Sequence, residues 1–140
     1  MKRSVAALTV LAFAAGVQPA LAARIYNLTP VTIHVWADPY MYTLAPGKRS
    51  PSVSVNVTQV DVYYSKDPNL EEKSEICVVG FGLHHELVGG HYMLVTNVDH
   101  NVNCSVCDSD GNRISSGSGQ FPRDVWDKVK GTRSEKGGCP

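Results

Sequence analysis

The sequence predicts an all-β fold: a small antiparallel β-sandwich of about seven or eight short strands, stapled by disulfides and closed by one short C-terminal helix. Three observations carry that reading. Apolar and polar residues alternate with a period of two over several stretches, turn residues recur at short and nearly regular intervals, and all four cysteines lie in the second half of the chain. The chain has 140 residues with 13 basic and 13 acidic side chains, a length that fits one domain. With no basic stripe, phosphate neutralisation has nothing to work with, so nucleic acid is excluded as the main partner.

Residues 1–22 read as a cleaved signal peptide. Lys2 and Arg3 form the positive start, an alanine-rich apolar run follows, and Ala20-Leu21-Ala22 supplies the small-x-small pattern of a cleavage site. The run is shorter than the ~20 apolar residues that cross a bilayer, and no later stretch is long enough, so no membrane span is expected. Removing Lys2 and Arg3 leaves a slight acidic excess. The mature protein is expected outside the reducing cytoplasm, secreted or periplasmic, with a β-sandwich domain over residues 23–131 and a tail over 132–140.

Along that domain, Val31, Ile33 and Val35 alternate with Thr32, His34 and Trp36; Val53, Val55 and Val57 alternate with Ser52, Ser54 and Asn56; and Val60, Val62 and Tyr64 alternate with Gln59, Asp61 and Tyr63. Each set is a strand with one buried and one wet face. Residues 40–44 form a further strand, ended by Ala45-Pro46-Gly47, where Pro fixes φ and Gly accepts the positive φ of a type II turn. Residues 65–75 lose all periodicity and read as a charged surface loop. Strands are then predicted at 76–81, at 91–97 after the Gly89-Gly90 turn, and at 101–107, the last hairpinned through Ser109-Asp110-Gly111-Asn112 to 113–115. The Ser115-Ser116-Gly117-Ser118-Gly119 run reads as a flexible connector. It leads to a helix over 122–130, opened by Pro122, with Asp124 in its first turn, Lys128 and Lys130 in its last, and Gly131 as its stop. Phe121, Val125 and Val129 share one face, which must pack on the sheet because so short a helix is unstable alone.

In an oxidising compartment Cys77, Cys104, Cys107 and Cys139 are expected to form two disulfides. Cys104 and Cys107 lie three apart on a strand, about 10 Å when extended, whereas bridged Cα atoms sit about 4.4–6.8 Å apart. They are therefore not partners of each other, and no helix follows to make them a redox pair. Cys77 takes one and Cys139 the other, with the pairing open. The bridge to Cys139 ties down a polar, glycine-rich tail.

Enzyme signatures fail on inspection. Gly80-x-Gly82 has His85 where a dinucleotide fingerprint needs its third glycine, and His85-Glu86 is followed by Gly89 where a zinc-protease helix needs its second histidine. No Gly-x-Ser-x-Gly elbow occurs. Asp108-Ser109-Asp110-Gly111-Asn112 lacks the later glutamate of a calcium loop and reads as a hairpin turn.

Two constellations remain. The aromatic residues Trp36, Tyr40, Tyr42 and Tyr63 combine apolar area with hydrogen-bonding tips, the composition of recognition surfaces. The histidines His84, His85, His91 and His100 fall close together with Met93 among them; His85, His91, Met93 and His100 form a copper or zinc ligand set if a hairpin closes at Gly89-Gly90. The preferred function is a non-enzymatic binding or interaction module with no cofactor, its partner a protein, a glycan or another envelope component. The alternatives are a periplasmic copper- or zinc-binding protein and, behind it, a small secreted hydrolase.

Overall fold

The computed structural model describes residues 23–53, 57–80, 90–134 and 138–139. The predicted signal peptide, residues 54–56 of the second predicted valine strand, and the 81–89 stretch with His84 and His85 lie outside the described residues.

Among the described residues, eight strands form two four-stranded sheets. β1 (Arg24–Asn27), β6 (Tyr92–Val98), β7 (Asn101–Cys107) and β8 (Arg113–Gln120) make the first, in the order β1-β6-β7-β8. β2 (Ile33–Ala37), β3 (Tyr40–Leu44), β4 (Gln59–Tyr64) and β5 (Ser74–Gly80) make the second, in the order β3-β2-β4-β5. The inward residues anticipated from alternation are the core: Ile33, Val35, Val60 and Val62 from the second sheet meet Ile25, Met93, Val95, Val102 and Val106 from the first. Each such side chain contributes roughly 1.5–3 kcal/mol on leaving water, which fixes the register because a one-residue slip would turn the set outward.

Three expectations need correction. The sandwich is not wholly antiparallel: β1 pairs parallel with β6. β1 carries a short, weakly alternating sequence, and its far edge is covered by residues 48–53, with Asn27 N–H donating to Lys48 O at 2.9 Å and Ser50 N–H to Ile25 O at 2.7 Å. Of the second predicted valine strand the described part includes Val53, which bridges Ala23. The serine-glycine run is no connector but the body of β8. Its glycines permit a close approach: a methyl group built on Gly117 would overlap the Val78 carbonyl, and one on Gly119 the Ile76 carbonyl. β5 and β8 thereby lie side by side, with the Ser115 hydroxyl donating to Gly80 O at 2.8 Å, and the two sheets close along that seam. The helix is shorter than predicted, a 3-10 turn over Arg123–Val125 followed by α1 (Trp126–Val129). Its anticipated stripe of Phe121, Val125 and Val129 is buried.

On the opposite side the sheets are joined by Asn27, a buried residue whose amide donates to Val31 O at 2.8 Å and Leu44 O at 2.9 Å. Its carbonyl accepts from the Thr29 N–H and hydroxyl, so every polar position of the side chain is used.

The cysteines form two disulfides. Cys77–Cys104 joins β5 to β7 across the sandwich, with Cα atoms 6.3 Å apart. Cys107–Cys139, at 5.7 Å, anchors the tail. Before reaching it, the tail extends the first sheet beside the end of β6, where Arg133 bridges Val98 and Ser134 N–H donates to Asn97 O at 3.0 Å. Gly138 then lies against the Ser105 hydroxyl on the sheet's outer face. Leu94, Thr96, Ser105 and Cys107 point outward by alternation and are nevertheless buried.

Candidate functional site

The four candidate aromatics separate into two pairs. β2 pairs with β4 so that His34 faces Tyr63 and Trp36 faces Asp61, and with β3 so that Trp36 faces Met41 and His34 faces Thr43. Because Ile33, Val35 and Ala37 point into the core, Trp36 and Tyr63 stand on the outer face of the second sheet, both half-buried. Tyr40 and Tyr42 sit on the other face of β3, opposite Ala37 and Val35. Tyr42 packs against the core and Tyr40, 59% exposed, lies 6.3 Å from it, ring to ring.

Around Trp36 the outer face dips into a cleft of about 270 Å³ lined by Trp36, Asp38, Val57, Thr58, Gln59 and Asp61. Asp61 is placed by its cross-strand pairing with Trp36, Gln59 shares its face two residues earlier on β4, and Asp38 begins the turn that ends β2. The Gln59 amide donates to Asp61 Oδ1 at 2.9 Å, fixing the carboxylate. Among the described residues no Lys, Arg or His lines the cleft. Tyr63 lies along the same face with Lys73 Nζ 5.5 Å from its ring centre. Burial, then the Asp61 and Glu75 charges, push its hydroxyl above the ordinary tyrosine value, so it stays a hydrogen-bond donor. His34 is buried beneath this face with Nδ1 2.9 Å from the Thr43 hydroxyl. Burial lowers its pKa, against a smaller raising effect of the Ser65 backbone; it is a neutral packing group.

Three of the metal candidates lie within the described residues, and the fold holds them apart. Met93 is fully buried, aimed into the core between Ile25 and Val106. His91 precedes β6 and His100 follows it; seven strand residues at about 3.3 Å each separate them by roughly 20 Å. His91 lies near Asp108, whose carboxyl is held below its ordinary value chiefly by the Asn112 backbone N–H and in smallest part by the His91 charge. His100 stacks on Trp126 with ring centres 3.8 Å apart. His85 lies outside the described residues. Among the described residues no group of three or more His, Cys, Asp or Glu side chains could hold a metal ion.

Larger depressions lie elsewhere: one of about 460 Å³, lined by Tyr64, Lys66, Glu72, Lys73 and Asp124 among others, and two more. One, of about 410 Å³, lies on the first sheet over Thr96, Asn101, Asn103, Ser118 and Gln120; it offers neutral amides and hydroxyls with no aromatic ring. The other, of about 400 Å³, lies beside the His100–Trp126 stack. There Trp126 is committed to structure, its indole N–H donating to Phe121 O at 2.7 Å with Arg123 5.0 Å from the ring centre.

Sequence reasoning reached Trp36 and Tyr63 but not Asp38, Gln59 and Asp61. Alternation along β4 puts Gln59, Asp61 and Tyr63 on one face; what spacing does not show is that β4, fifteen or more residues on, pairs with β2 in the register that sets Asp61 beside Trp36. Comparison with protein-family models, curated proteins and solved structures gives no significant match.

Proposed function

We propose that the protein is an exported binding module, secreted or periplasmic, that engages a protein, a glycan or another envelope component through the outer face of its second sheet, without catalysis. The observation that supports this most is the group formed by Trp36, Met41, Asp61 and Tyr63, half-exposed on a rigid sheet whose opposite face is core. Aromatic rings with fixed orientation supply contact area at little entropic cost, and a strand scaffold presents them without rearrangement. The disulfides and the signal-like start favour the exported location, and among the described residues no helix is long and apolar enough to cross a membrane.

The test is capture of envelope material from the producing organism by the immobilised protein. Retention that is lost in Trp36→Ala and kept in Tyr40→Ala supports the module. Equal retention by both variants places recognition elsewhere and overturns it. Fractionation with N-terminal sequencing checks the location: the proposal expects a chain beginning at Ala23 outside the cytoplasm, and an uncleaved cytoplasmic chain contradicts it.

A further inference from the structure

We infer that the Trp36 cleft is a subsite for one neutral sugar ring, bound with its C–H face against the indole and its hydroxyls on the carboxylate rim. The inference rests on the reading of this face as a recognition surface and names its ligand.

The lining decides the chemistry. Asp38 and Asp61 bring carboxyl oxygens that accept hydrogen bonds, and Gln59 spends an amide N–H on Asp61 Oδ1, leaving its carbonyl as a further acceptor. Thr58 adds a hydroxyl that can donate or accept. A rim so rich in acceptors matches a ligand rich in donors. With two carboxylates and, among the described residues, no Lys, Arg or His in the lining, the rim disfavours a phosphate, uronic acid or other anion. Trp36 supplies an apolar plane, so the ligand must also carry an apolar face. At about 270 Å³ the cleft lies at the small end of ligand sites, a scale for one ring with its substituents rather than an extended peptide.

An organic cation would satisfy the charge, but the geometry fits it less well. Ammonium recognition draws on several aromatic faces around the charge, whereas among the described residues one ring walls this cleft. Asp61 is already steadied by the Gln59 amide, and Gln59 and Thr58 are neutral groups whose partners are hydroxyls. A pyranose meets all of these demands together: polar edges, a flat C–H face and no charge.

The experiment is a titration of the isotopically labelled full-length chain followed by the two indole N–H signals in NMR. The probes are neutral hexoses and N-acetylhexosamines, the matching uronic acids, and lysine and arginine methyl esters. The inference expects a neutral sugar to shift the Trp36 signal and leave Trp126 unmoved. Affinity should fall about tenfold or more in Trp36→Ala and partly recover in Trp36→Tyr; Asp61→Asn should weaken it with the sheet's amide signals unchanged. Uronic acids binding as well as neutral sugars, esters alone binding, or no sugar moving Trp36 would each overturn it. Treating the envelope material with periodate or with protease separates the two levels. If capture depends on Trp36 but survives periodate and not protease, the sugar inference fails and the binding module stands. If capture does not depend on Trp36, the module itself fails.

Discussion

The first sheet buries Leu94, Thr96, Ser105 and Cys107 on its outer face, where Gly138 lies against Ser105 and Cys139 is bonded to Cys107. The second sheet leaves Trp36, Met41, Asp61 and Tyr63 half exposed on the corresponding surface. Both faces arise from the same two-residue alternation. They differ in what a distant part of the chain does: one is clamped under a disulfide-anchored tail and serves stability, while the other carries its aromatic and acidic groups uncovered.

The largest effect expected from disturbing that division comes from the clamp. Cys107→Ser with Cys139→Ser opens a link spanning 32 residues and should cost about 3–4 kcal/mol in denaturant unfolding. Faster amide exchange at Leu94 and Ser105 should accompany it, with Trp36-face amides unchanged; uniform acceleration over both sheets would mean that the faces are not independent. Next is the seam between sheets. Gly117→Val drives a side chain into the Val78 carbonyl and should lower stability by about 2–3 kcal/mol, whereas Gly80→Ala, whose methyl meets open space, should stay within about 0.5 kcal/mol.

These two predictions mark where the sequence was legible. Period-two valines located β2, β4 and most of the core, because a buried face imposes alternation whatever lies opposite it. The serine-glycine stretch of β8 failed the same reading. Its residues were selected for the absence of side chains against β5, and that absence looks like flexibility until the neighbouring strand is known. Cys104 and Cys107 were rightly kept apart, since strand geometry is local, but the choice between their partners depends on which sheet β5 joins. The cleft was half legible for the same reason: Trp36 announces itself by type, and Asp61 only by register.

Smaller effects sharpen the contrast from the other side. Trp36→Ala and Tyr63→Ala should each cost under about 1.5 kcal/mol in unfolding while removing capture of the ligand; a loss as large as that of the clamp variant would make them structural. The smallest effect concerns pH. His34 has a pKa lowered from 6.5 by burial, so below that value the unfolded chain takes up a proton that the folded one resists. Stability should be unaffected by this group above about pH 6.5 and decline as pH falls below it. Denaturant midpoints at pH 7.5 and 5.5 should show a drop in the native chain that is reduced in His34→Gln.

The strand registers also decide how the molecule can be held. Arg24 pairs with Tyr92 and Tyr92 with Cys107, which brings Ala23 and Cys139 to one end of the first sheet. From Cys107 the contacts pass to Arg113, from Ser115 to Gly80, from Gly80 to Gln59, and so to the rim of the Trp36 cleft. A dye, tag or surface linker attached near Ala23 or Cys139 therefore sits at the same end of the sandwich as Gln59, with Cys139 on the opposite outer face from the cleft. One grafted into the turn at Asp99 and His100, at the far end, would display it outward.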